Sequence, residues 1–174
     1  MESKRILIFT GNGKGKTTAA LGMALRASGH GLKVRIIQFM KKDDRTGEVI
    51  ALRQLTGVEL VQTGCGFVPP ATDPAFAKHR EAAERGLELA EGTMCAGDCD
   101  LVVLDEICTA VTYGLLAESL VTDIMQKTRE GMALVLTGRG ATPGMIALAD
   151  TVTEMKCLKH ALAAGLPARK GVEY

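Results

Sequence analysis

Residues 8–18 read Ile8-Phe9-Thr10-Gly11-Asn12-Gly13-Lys14-Gly15-Lys16-Thr17-Thr18, and this stretch decides the fold. A short run of β-branched and aromatic character, Ile6–Phe9, passes into alternating glycines, then Lys-Thr, then an alanine-rich segment. Over residues 17–29 the apolar side chains Ala20, Met23, Ala24 and Ala27 recur at helical spacing. Strand, glycine loop, Lys-Thr and helix in that order form a phosphate loop: successive backbone N–H groups converge on an anion, and the helix N-terminus adds positive potential. In this arrangement Lys16 reaches phosphate oxygens and the Thr17 hydroxyl faces Mg²⁺. The strict motif would put its first glycine at position 10, where Thr10 stands; here the glycines fall at 11, 13 and 15, and Lys14 adds a second positive charge. A dinucleotide-binding turn fits worse, because Gly11-x-Gly13 lacks the third glycine and Lys16-Thr17 is foreign to that motif.

Outward from the loop, short β-branched runs recur at Val34–Phe39, Val58–Gln62, Leu101–Leu104 and Ala133–Leu136, with a weaker one at Thr151–Met155. Continuous apolar character of this kind predicts strands buried on both faces of a parallel sheet. Helical patterns fill residues 73–94 and 117–129. The alternation predicts an α/β, three-layer P-loop (RecA-like) fold with a mostly parallel six-stranded sheet, spanning residues 1–174 as one domain. The strand Asp100–Leu104 ends in Asp105-Glu106, and a strand lying beside the first would bring its terminal acid to the Mg²⁺ on Thr17; spacing leaves open which acid that is. The strand ending at Thr137 runs into Gly138-Arg139-Gly140, which points Arg139 into the crevice where such folds bind ligands. The stretch Gly64–Pro74, rich in glycine and proline, reads as an ordered functional loop.

Composition narrows the function. Twenty-one Lys+Arg against 20 Asp+Glu leave a net charge of +1, which excludes a broad electrostatic grip on nucleic acid. Aromatics at 3% and the absence of Trp argue against base-stacking platforms. There is no apolar run of membrane-spanning length and no signal-peptide core. The odd count of five cysteines points to a reducing cytoplasm, and Cys95-x₃-Cys99 lacks the second ligand pair of a zinc site.

The chain resembles the ATP:corrinoid adenosyltransferases of the P-loop branch. The resemblance rests on Gly11–Thr18 with its displaced first glycine, on Arg26–Gly31 and Val34–Lys41, on Val102–Glu106, and on the tail from Leu136 onward. It implies transfer of the 5′-deoxyadenosyl group of ATP to a Co(I) corrinoid, with inorganic triphosphate leaving. It implies that Gly11, Asn12, Gly13, Lys14, Gly15, Lys16, Thr17, Thr18, Arg26 and Arg139 contact nucleotide, and that Thr17 and Glu106 bind Mg²⁺ (or Mn²⁺). Lys16, Glu106 and Phe67 are the implied catalytic residues, with Phe67 a wall beside cobalt. Family members carry Gly-x-Gly-Phe-Thr-Trp in that loop, whereas this chain has Gly64-Cys65-Gly66-Phe67-Val68-Pro69 and so replaces the tryptophan by Pro69. The chain also starts close to its first strand, without the arm that some relatives carry. The resemblance further implies a homodimer, and the lack of any flavin or iron–sulfur motif implies an external reductant, a reduced flavoprotein. Two rival readings of the residues are a P-loop kinase or NTPase, which would need an arginine-bearing lid that the sequence does not show, and a non-catalytic carrier of ATP and corrinoid.

Overall fold

A computed structural model describes residues 3–173. Its elements in chain order are β1 (Arg5–Thr10), α1 (Lys16–Gly29), β2 (Val34–Gln38), α2 (Gly47–Leu52), β3 (Val58–Gln62), α3 (Phe76–Ala96), β4 (Leu101–Asp105), α4 (Ile107–Thr112), α5 (Glu118–Gln126), β5 (Ala133–Thr137), α6 (Pro143–Leu148) and β6 (Thr151–Glu154), followed by a 3₁₀ turn at Ala161–Ala164. The six strands form one sheet in the order β3-β2-β4-β5-β1-β6, and every pairing is parallel.

The continuous apolar runs are resolved by the period of two. Along β4, Leu101 and Val103 face one core while Val102 and Leu104 face the other. On the first side Ala20, Ala24 and Ala27 of α1 and Leu52 of α2 complete a small core with Val34, Ile36 and Val135. Alanine at each of these α1 positions lets the helix lie close on the sheet. On the opposite side α3, α4, α5 and α6 cover Ile8, Ile37, Leu134 and Leu136 with larger groups such as Phe76, Leu87, Ile124 and Met145. Two buried faces need helices on both sides, and the right-handed crossovers supply them.

Three differences from the sequence reading matter for the site. The acidic strand β4 does not lie beside β1; β5 sits between them, pairing Ala133 with both Arg5 and Leu101. Apolar periodicity carries no information on strand order, so adjacency could not be read from it. The helices α2, α4 and α6 were not expected; each has six residues, too few for a 3.6-residue repeat to show. The last strand β6 is an edge strand whose four residues are all exposed, which explains its faint apolar signal.

The loop from Gly64 is tethered to the chain leaving β2: Gly64 N–H donates to Gln38 O (3.3 Å) and Gly66 N–H to Met40 O (2.9 Å). A Cβ on Gly64 would overlap the Met40 backbone. Gly64→Ala is therefore expected to push this loop off β2 and cost about 1–3 kcal/mol, read as a lower urea midpoint with an unchanged slope.

Candidate active site

The carboxyl ends of β1, β4 and β5 converge on a cavity of about 670 Å³, within the range that holds a small ligand. Gly13, Lys14, Gly15, Lys16, Thr17 and Thr18 form its floor, Glu106 and Arg139 one flank, Lys41 and Glu48 another, and Leu21, Leu25, Ala51, Leu52 and Leu55 an apolar end. The first amides of α1 lack intrahelical partners by helix geometry, so the floor presents donors.

Within the loop, the buried Lys16 donates from Nζ to Gly11 O (2.8 Å) and Gly13 O (2.7 Å). Burial pushes its ammonium below the usual lysine range, opposed by the Glu106 carboxylate, with Arg139 adding to the depression and Asp105 opposing it. The glycines are set by the chain after β6. Gly13 N–H donates to Met155 O (2.6 Å) and Met155 N–H to Thr10 O (2.8 Å), while a Cβ on Gly13 would lie 2.7 Å from Met155 O and 2.8 Å from Lys156 O. No side chain fits there, so glycine at 13 is a packing requirement of this loop, and its own N–H is spent on Met155 O rather than turned to the cavity.

The two acids after β4 do different things. Asp105 is fully buried and saturated: Oδ1 accepts from Thr17 Oγ1 (2.8 Å) and Thr137 Oγ1 (2.7 Å), and Oδ2 from Gln38 Nε2 (2.9 Å). Because Thr17 spends its proton on Asp105, its oxygen lone pairs are left for a cation on the cavity side. Glu106 lines the cavity, accepts from the Thr109 hydroxyl, and has φ 65°, the one positive φ outside glycine among the described residues. Its amide donates to Thr137 Oγ1 (2.9 Å). Thr137 thus ties together both acids and the end of β5, the strand that separates them from β1.

Sequence reasoning missed Lys41 and Glu48. Lys41 Nζ lies 3.2 Å from Glu48 Oε1 and 3.7 Å from Asp105 Oδ2. Burial opposes the charge of Glu48, but its own backbone amide, the Lys41 ammonium and the Thr46 hydroxyl outweigh this and hold it below the usual carboxylate range. Lys41 falls just beyond β2, at the sheet edge that binds ligands in open α/β folds; only that position, read with a correct strand order, could have flagged it.

Other expected residues stand apart from the cavity. Gly11 and Asn12 are outside its lining, which begins at Gly13. Arg26 is exposed on the last turn of α1, one residue beyond Leu25, the last α1 side chain in the wall. Phe67 is 94% exposed on the tethered loop and does not line the cavity, although its neighbour Val68 packs on the larger core. Cys108 is buried, and burial, helped by the Glu106 charge, pushes its thiol up to about 12, so it is not a nucleophile.

Comparison with known proteins bears on this geometry. The model of the family described as ATP:corrinoid adenosyltransferase BtuR/CobO/CobP matches residues 2–174. The chain is 42% identical over 172 residues to a corrinoid adenosyltransferase of Pseudomonas aeruginosa, covering 97% of this chain and 83% of that one. It is 38% identical over 170 residues to a corrinoid adenosyltransferase of Escherichia coli (strain K12), covering 97% and 85%. Among solved structures it is similar to the KaiC-like protein PH0186 of Pyrococcus horikoshii OT3, with a TM-score of 0.56, 14% identity, and coverage of 88% of this chain and 71% of that one, a likeness of fold. A lysine-bearing phosphate loop, two acids with separate tasks and a match over essentially the full length agree, and the chain belongs to the ATP:corrinoid adenosyltransferase family.

Proposed function

We propose that this protein transfers the 5′-deoxyadenosyl group of ATP to the Co(I) of a corrinoid. The Co–C5′ bond forms, the C5′–O bond breaks, and triphosphate leaves with the bonding electron pair. The observation that carries this reading, within the family membership, is the pairing of Lys14 and Lys16 on one loop floor. They face a leaving group that takes away the charge of three phosphates, and stabilising charge where it develops is the main task here. No side-chain nucleophile is needed, because cobalt is the nucleophile.

Gly13, Lys14, Gly15, Lys16, Thr17 and Thr18 are the proposed polyphosphate contacts, with Arg139 on the flank beside Glu106 and Gly11, Asn12 and Arg26 at the periphery. For Mg²⁺ or Mn²⁺ the donor set is hard oxygen: the Thr17 hydroxyl, whose proton goes to Asp105, and the Glu106 carboxylate. Among the described residues no three His, Cys, Asp or Glu side chains converge. A cation here therefore takes its remaining oxygens from phosphate and water, the usual state of Mg²⁺ at phosphate sites. Bound, it would neutralise phosphate charge.

We place the corrinoid against the Gly64–Pro74 loop, with Phe67 as the apolar wall beside cobalt. A phenyl ring left exposed on a tethered loop has no packing role, and contact with a macrocycle would bury it. Excluding a lower axial ligand from Co(II) withdraws electron donation and raises its reduction potential. Phe67→Ala is accordingly expected to slow reactions started from Co(II) by about tenfold or more while sparing those supplied with Co(I). Equal losses would move Phe67 away from the metal. The electron comes from an external reductant, a reduced flavoprotein, and we place the protein in the cytoplasm as a homodimer. Among the described residues no helix is long and apolar enough to cross a membrane.

The test is incubation with ATP, Mg²⁺ and chemically reduced cobalamin. Triphosphate together with a light-sensitive Co–C product is expected. ADP or orthophosphate as the nucleotide product would overturn the reading.

A further inference from the structure

The segment after β6 crosses the phosphate loop twice. Met155 and Lys156 pack on Gly11 and Gly13, and the chain then returns so that Gly171, Val172 and Glu173 line the same cavity as Lys14 and Lys16. Glu173 Oε1 lies 2.9 Å from Lys14 Nζ, and its Oε2 accepts from Arg169 N–H (2.8 Å). The turn is closed by Val172 N–H and Glu173 N–H, both donating to Arg169 O (3.1 and 2.9 Å). Thus a carboxylate from the far end of the chain sits on one of the two lysines that the proposed function gives to polyphosphate.

We infer that Glu173 is an internal stand-in for phosphate. It holds residues 169–173 over the cavity through Lys14, is displaced when polyphosphate binds, and returns to Lys14 to help expel the triphosphate product. The pair suits exchange. Lys14 and Glu173 keep 51% and 24% of their side-chain surface in solvent, and solvent-exposed pairs bind weakly and are screened by salt. A polyphosphate, with several negative charges and further donors from Lys16 and the loop amides, outcompetes one carboxylate. The pairing also favours the charge on Glu173, whose carboxyl is held below its usual range by the Lys14 hydrogen bond and then the Arg169 amide.

This inference rests on the phosphate-loop reading, and one set of measurements separates the two. Inorganic tripolyphosphate is titrated into the full chain, Glu173→Gln, Lys14→Ala, the double variant and Lys16→Ala. Hydrogen exchange is followed at the amides of Arg169, Val172 and Glu173, and thermal midpoints are compared to check folding. Glu173→Gln is expected to bind tripolyphosphate roughly two- to fivefold more tightly than the parent, with the gain absent in the Lys14→Ala background. Tripolyphosphate is expected to speed exchange at the three amides, whereas adenosine, which carries no phosphate, leaves them unchanged. Equal affinities of the parent and Glu173→Gln, or equal loosening by adenosine, would overturn the stand-in role while leaving the phosphate loop in place. Tripolyphosphate binding that survives undiminished in Lys16→Ala would overturn the phosphate-loop reading itself, and this inference with it.

Discussion

Lys16→Ala is expected to lower adenosyl transfer by about 10²–10³-fold, the loss that follows removal of one preorganised donor from a site where charge develops. The structure gives the reason in the geometry of the loop. Lys16 Nζ is folded back on Gly11 O and Gly13 O, so the ammonium is stored inside the loop and needs only a short swing to meet a phosphate oxygen. It is stored at some cost, since burial disfavours its charge. A polyphosphate arriving at the floor relieves that penalty, which makes the contact stronger for a highly charged leaving group than for the neutral parts of the nucleotide. The fold should survive, because alanine suits the first turn of α1 and the released carbonyls belong to a loop that borders the cavity. The assay follows triphosphate and the Co–C product in parallel with circular dichroism. Unchanged turnover in a folded Lys16→Ala protein would remove polyphosphate from this loop.

Much of this site was legible because its parts are local. The strand, glycines, Lys-Thr and helix between Ile6 and Gly29 lie within one stretch of chain, and each step has a direct steric or electrostatic reason. The five stronger strands were placed to within one residue at either end: β2, β4 and β5, buried on both faces, leave continuous β-branched runs, and β1 and the edge strand β3 keep enough apolar residues to be bounded. What did not read out was non-local. The insertion of β5 between β1 and β4 depends on how strands pair across the sheet, and no periodicity encodes it. The role of Lys41 depends on its facing Glu48 from the end of β2 and Asp105 from the end of β4. The return of Glu173 to Lys14 joins residues 159 apart. Exposure was equally hidden: Arg26 and Phe67 share residue types with site-lining groups, yet the first stands on the outer last turn of α1 and the second points into solvent. Asp105 and Glu106 are alike by spacing alone, and their surroundings separate them. One turned into the core, and the other was held at the cavity by an unusual left-handed backbone.

That division predicts opposite phenotypes for two neighbouring carboxylates. Asp105→Ala is expected to cost on the order of 3 kcal/mol or more of stability, because it strips the acceptor from Thr17, Thr137 and Gln38 at once in a fully buried place. Hydrogen bonds to a charged group are the strong kind, and the Thr137 hydroxyl and Gln38 amide left there, both fully buried, have no water to turn to. Transfer should fall too, through a different route: without Asp105 to take its proton, the Thr17 hydroxyl is free to rotate, and its lone pairs no longer face the cavity by necessity. Glu106→Ala removes a carboxylate that lines the cavity but keeps a Cβ on the same left-handed backbone, so the backbone strain is the same in both proteins. Its stability should therefore change little while transfer drops, with the apparent requirement for Mg²⁺ shifted to higher concentration. Urea unfolding and Mg²⁺ titration of turnover, run on both variants, separate these outcomes. If instead Asp105→Ala were as stable as the parent and Glu106→Ala kept its Mg²⁺ dependence, the tasks assigned to the two acids would be wrong. Thr17 would then owe its orientation to the loop alone.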